Sequence, residues 1–138
     1  MTSELTGRVL GVGGVFFRSP DPARLAGWYR ETLGLATESW GATHGTSFAP
    51  EAMPANSFTV WSTFASDTDY FGDLRQSFMI NLVVDDLDAA LDKVRDAGGK
   101  VSPEKEEHDF GRFGWFVDPD GNRVELWEPP EKIPEPGE

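Results

Sequence analysis

The chain is 138 residues long, carries a formal net charge of -12 and contains no cysteine. That length fits one domain with a normal core, or two half-size modules packed together. The acidity argues against nucleic acid or an anionic membrane as partner, because phosphate binding needs clustered Lys and Arg, and the missing thiols exclude disulfides, thiolate metal sites and Cys nucleophiles.

Met1 to Arg8 carries no apolar signal segment, and no apolar run approaches membrane-spanning length, so a soluble cytoplasmic protein is expected. Val9 to Phe17 reads as a strand interrupted by Gly11, Gly13 and Gly14. Asp21 then offers an N-cap and Pro22 a first helical position, and Leu25, Trp28, Tyr29 and Leu33 recur at helical spacing until Gly34. Three strand-like runs follow near 35–40, 45–50 and 57–64. Residues 65–77 form the linker.

The second half repeats this order. Phe78 to Val84 is a strand, Asp86 caps a helix whose buried stripe is Leu87, Ala90, Leu91 and Val94, and Gly98-Gly99 ends it. Asp86 follows Asp21 by 65 residues and Gly99 follows Gly34 by the same 65. Strand-like runs at 100–106, 113–118 and 122–128 complete the unit, and residues 130–138 make an acidic, Pro-rich tail. The expectation is one α+β domain, residues 1–138, built of two βαβββ modules at 9–64 and 78–128. Two such curved sheets in tandem enclose a cavity between them.

Asp118-Pro119-Asp120-Gly121-Asn122 is a tight turn, and the strand after it carries one carboxylate, Glu125, among apolar neighbours. Alternation places Val124 and Leu126 on one face, and Arg123, Glu125 and Trp127 on the other. By the same rule Asn81 shares the face of Met79, Trp61 that of Thr59, and Phe16 that of Gly14. A pocket lined by Phe16, Thr59, Trp61, Met79, Asn81 and Trp127 suits a planar or apolar small molecule, with Asn81 and Glu125 as its polar fixtures. Glu125 admits two readings: a pocket group able to act as a base, or a structural carboxylate neutralised by Arg18, Arg112 or Arg123. His108, ahead of Gly111, is either a loop histidine or an acid–base partner at the cavity mouth, and His44 reads as a loop residue.

Gly14 to Gly34, Met79 to Gly99 and Asp118 to Glu125, in that order, resemble the vicinal oxygen chelate superfamily of glyoxalases, bleomycin-resistance proteins and extradiol dioxygenases. The resemblance covers Val9 to Pro129. It implies a glyoxalase/bleomycin-resistance/dioxygenase-like fold, and commonly a homodimer. It also implies a divalent metal held by one side chain from each of four strands. Carried over, those positions fall on Gly14, Thr59 (or Val60), Met79 and Glu125. Glycine offers no ligand, Thr a poor one, and Met suits soft ions, so the site is degenerate and no metal cofactor is expected. The leading reading is a protein that binds a small apolar or aromatic ligand. The alternative is a lyase, isomerase or dioxygenase-like enzyme using Glu125, with His108, as acid–base pair or Glu125 as a residual metal ligand. A non-catalytic interaction scaffold is the third.

Overall fold

The computed structural model describes residues 7, 8, 10, 12–72 and 75–131. Both helix signals are realised where capping chemistry places them. Helix α1 spans Pro22–Leu33, with the Asp21 side chain accepting from the Arg24 N–H, and closes at Gly34 in the left-handed conformation (φ 73°). Helix α2 spans Leu87–Asp96, with Asp86 accepting from the Ala89 N–H. These caps satisfy N–H groups that have no partner within the helix.

The remaining elements are a hairpin of β1 (Glu38–Trp40) and β2 (Thr43–Gly45), a 3₁₀ turn at Pro50–Ala52, and strands β3 (Ile80–Val83), β4 (Lys100–His108), β5 (Gly111–Val117) and β6 (Arg123–Glu128). The second half is therefore β-α-β-β-β, its strands in the order β3-β6-β5-β4. Strand β3 runs parallel to β6, and the other neighbours are antiparallel, which makes the sheet mixed. The chain is thus α+β with a mixed sheet, as its pattern implies.

The first half departs from expectation. It keeps α1 and the hairpin, but among the described residues 10 and 12–17, and 57–64, no strand ladder forms. Leu10, Val15, Phe16, Val60 and Trp61 stand more than half exposed there. Alternation records a readiness to be a strand; a strand also needs a partner edge, and these runs find none among the described residues. Residues 132–138 of the expected tail and residues 1–6 of the N-terminal segment lie outside the described residues. Among the described residues no helix is long and apolar enough to cross a membrane.

The core lies between the four-stranded sheet and both helices. Leu25 and Tyr29 of α1, Leu87, Ala90, Leu91 and Val94 of α2, and Phe116, Val124 and Leu126 of the sheet form one buried cluster. Gly114 lets α2 approach, since a Cβ there would meet Leu91 Cδ1 at 2.8 Å. The Asp118 turn ties this layer together. Its buried carboxylate accepts from the Asp120 and Asn122 backbone N–H groups and, across the chain, from the Tyr29 hydroxyl at 2.9 Å. Ser19, just ahead of α1, donates to Asp120 at 2.5 Å. With the helices on one face of the sheet, whatever chemistry the strands carry is on the other.

Candidate functional site

Cross-strand register fixes what that second face presents. Glu125 lies opposite Asn81 on one side and Trp115 on the other, and Trp127 lies opposite Val83 and Phe113. Residues directly opposite share a face, so Asn81, Arg123, Glu125, Trp127, Trp115 and Phe113 line one surface. Glu125 is 7% exposed. A buried carboxylate must be matched by donors or a cation. Here the Asn81 amide donates to Oε1 at 2.7 Å, and the Trp115 indole N–H to Oε2 at 3.0 Å. The Tyr70 hydroxyl also donates to Oε2. Among the described residues, three neutral donors hold the group.

Two of the three arginines offered by the sequence, Arg123 and Arg112, do other work. Arg123 places its guanidinium 5.3 Å from the Trp115 ring and donates from Nε to the Tyr70 carbonyl at 3.1 Å. Arg112 pairs with Asp88 at 3.0 Å and reaches Glu128 at 3.4 Å, on the rim. Gln76 locks the start of β6 by donating to the Arg123 carbonyl and accepting its N–H, each at 2.9 Å. The Tyr70 ring stacks on Phe64 (centroids 5.4 Å, 13°) and meets Trp115 edge-on (5.9 Å, 87°). Residues 64–72 therefore form a strap across the carboxylate, where the sequence suggested only a linker.

Of the other singled-out residues, Trp127 is buried, donates to the Phe110 carbonyl at 2.7 Å and stacks on Phe113. Met79 is half-buried one residue ahead of β3. Phe16 and Trp61 are 92% and 79% exposed, and Thr59 and Gly14 are exposed as well, so the expected lining is divided between the sheet face and solvent. His108 ends β4 rather than lying in a loop; its Nε2 is 2.8 Å from Glu106, and its ring lies 5.9 Å from Phe113. His44 is half-buried in β2. Surface hollows of about 320 Å³ beside α2 and β4, and about 340 Å³ beside Pro129 and Pro130, lie away from Glu125.

Tyr70 and Trp115 are the site residues that sequence reasoning missed. Both join an apolar body to a polar tip, the kind of side chain a buried acceptor recruits. Glu125 itself was the signal that such donors were needed.

The fold family implies a metal here, and the residues do not fit one. Gly14 has no side chain to offer, Thr59 is exposed, Met79 is a soft thioether, and both oxygens of Glu125 are engaged by N–H or O–H donors. Among the described residues no three His, Cys, Asp or Glu side chains cluster as a metal-binding group. The face can accept a hydrogen bond and stack a ring.

Burial, and then the Glu125 carboxylate beside it, push the Tyr70 hydroxyl well above the ordinary tyrosine value of 10.0. Burial, and then Asp118, do the same for Tyr29. These are the only tyrosines in the chain. Their raised affinity for the proton supports the fold in full below pH 10.0 and is lost as pH rises above it, because the unfolded phenols ionise first. Spectrophotometric titration is expected to show no phenolate absorbance in the folded protein at pH 10.0, and its appearance together with alkaline unfolding. A phenol titrating at the ordinary value in folded protein would contradict the geometry.

A family model for a glyoxalase-like domain matches residues 14–127. Over 81 residues the chain is 35% identical to CFP32 of Mycobacterium bovis, a provisionally named glyoxylase, and to its Mycobacterium tuberculosis counterpart. That alignment takes in 58% of this chain and spans only 23% of those relatives. Among solved structures, a protein of unknown function from Agrobacterium tumefaciens aligns with TM-score 0.54 and 21% identity, over 90% of this chain and 98% of that one. A Sphaerobacter thermophilus member of the glyoxalase/bleomycin resistance protein/dioxygenase superfamily aligns with TM-score 0.48 and 19% identity, over 88% and 98%.

Proposed function

We propose a function for a chain that belongs to the glyoxalase-like domain family, in the superfamily of glyoxalases, bleomycin-resistance proteins and dioxygenases: metal-free binding of a small apolar or aromatic molecule on the helix-free face of the sheet. One observation carries it. Glu125, at the position where the family places a metal ligand, is held instead by the Tyr70, Asn81 and Trp115 donors. A cation would have to displace those donors and would gain one carboxylate in return, too little for tight binding of a hard ion. The rings of Phe113, Trp115 and Trp127 lie on that face; Trp115 and Trp127 are covered by the Tyr70 and Phe58 rings, so a planar ligand reaches them by taking the place of those rings.

A homodimer completes this reading. The apolar residues of 12–17 and 57–64 lack a ladder among the described residues, and a second copy offers them both a strand edge and cover. Sedimentation of the full chain should give a dimer mass; a monomer at high concentration would remove this part.

The test of the binding reading joins metal analysis to ligand screening. Protein purified without chelator is expected to hold far less than one metal per chain and to keep its melting temperature in EDTA. A planar aromatic at about ten times its Kd stabilises by roughly 1.4 kcal/mol. In a chain of this size that raises the melting temperature by roughly 3–6 °C. Stoichiometric metal that disappears in Glu125→Ala would sink the reading and make a metal-dependent lyase or dioxygenase the better one.

A further inference from the structure

Among the donors to Glu125 from described residues, Tyr70 is the one that does not come from the sheet. Asn81 and Trp115 belong to β3, where Asn81 lies in register with Glu125, and to β5, where Trp115 does. Tyr70 reaches in from the strap, and its phenol ring fills a slot with Phe64 stacked on one side and the Trp115 edge on another. The built part of this slot is therefore a flat apolar wall plus a buried acceptor, with two of its hydrogen bonds already made by the scaffold. The tyrosine side chain is one molecule that satisfies it.

We propose that this slot is a phenol-binding site: the space bounded by Phe64, Trp115 and the Glu125 carboxylate takes a neutral planar aromatic carrying a hydroxyl donor, and Tyr70 is its built-in competitor. The inference rests on the proposed function and narrows its ligand class. A carboxylate accepts and does not donate, so the ligand must bring a donor. An anion is rejected, because Glu125 is buried and like charges repel strongly where water is excluded. A hydrocarbon fits the walls but leaves the acceptor one partner short, which weakens it by about tenfold or more.

The strap is suited to yield. Tyr70 is half-buried, Ala65, Ser66, Asp67 and Asp69 are exposed, and beyond Phe64 the described strap residues meet the sheet through the Tyr70 ring and hydroxyl and the Arg123 bond to the Tyr70 carbonyl. Segments with few buried contacts open at low free-energy cost. While the strap is closed, apparent affinity for an outside ligand falls in proportion to the fraction of open molecules.

Two titrations of the full chain test this, read by calorimetry and tryptophan fluorescence. In Tyr70→Ala, p-cresol (the tyrosine side chain as a free molecule) is expected to bind about tenfold or more tightly than toluene and to raise the melting temperature. Equal binding of the two would overturn the proposal. Tyr70→Phe keeps the ring and removes the anchor on Glu125, so it serves even if the alanine variant fails to fold. It is expected to bind 2-naphthol about three- to tenfold more tightly than the unaltered chain. No gain in Tyr70→Phe would show that the strap does not compete. Binding of 2-naphthol and naphthalene with equal strength, indifferent to Tyr70, would overturn this inference while leaving the broader binding function standing. Binding of p-cresol by Tyr70→Ala, with no planar aromatic bound by the unaltered chain, would uphold the slot and count against the broader function.

Discussion

Phe116→Ala is expected to lower the free energy of unfolding by about 3–5 kcal/mol, the range for removing a fully buried aromatic from a packed core. Phe116 is 0% exposed. It pairs with Val124 on β6 and Val101 on β4, and its ring lies 5.9 Å from that of Trp28 and 6.3 Å from that of Tyr29. Both of those aromatics belong to α1, so Phe116 is where the helix of the first half meets the sheet of the second. The loss therefore combines transfer of the ring with a cavity spanning two elements that are distant in sequence. Urea denaturation should show a lower midpoint with an unchanged slope. Phe110→Ala, at a ring that is 56% exposed, is the matched control and should stay within about 0.5 kcal/mol. A Phe116 variant as stable as that control would mean that α1 does not pack on this sheet.

That contact also marks the boundary of what the sequence discloses. Capping is local chemistry: Asp21 and Asp86 accept from N–H groups three residues on, so the helix starts can be read directly from neighbouring residues. Alternation is local too, and it set Val124 and Leu126 on the face opposite Glu125, whereas the pairing of Asn81 with Glu125 comes from the β3–β6 register. Pairing is not local. The runs at 12–17 and 57–64 have as good a strand pattern as 123–128, yet among the described residues it is the last that finds two neighbours. Tyr70 was hidden for a related reason. Its segment is rich in Asp, Ser and Thr and reads as a connector, and only the folded chain brings its hydroxyl to a carboxylate 55 residues away. A buried acid announces that it needs donors, but not which donors will come.

Glu125→Ala is the substitution that weighs this need. Two effects oppose each other: the variant no longer buries a carboxylate, and it leaves the donors that served it without a partner. Their exposures decide the sign. Asn81 is exposed and can turn to water, and Tyr70 is half-buried and can swing out with its strap. Trp115 is 2% exposed, and among the described residues its indole N–H donates to Glu125. An orphaned buried donor costs about 1–3 kcal/mol, and the strap loses its anchor as well, so a net loss of about 2–4 kcal/mol is expected by chemical denaturation. Glu125→Gln should fall between, because one amide oxygen still accepts while the NH₂ group faces donors where an acceptor is needed. Both variants should also lose discrimination between a phenol and its hydroxyl-free analogue. Unchanged stability together with lost discrimination would mean that the carboxylate is carried for its ligand. Lost stability with discrimination intact would make Glu125 a strut that fastens Tyr70 to the sheet, and would place the recognition of any ligand elsewhere.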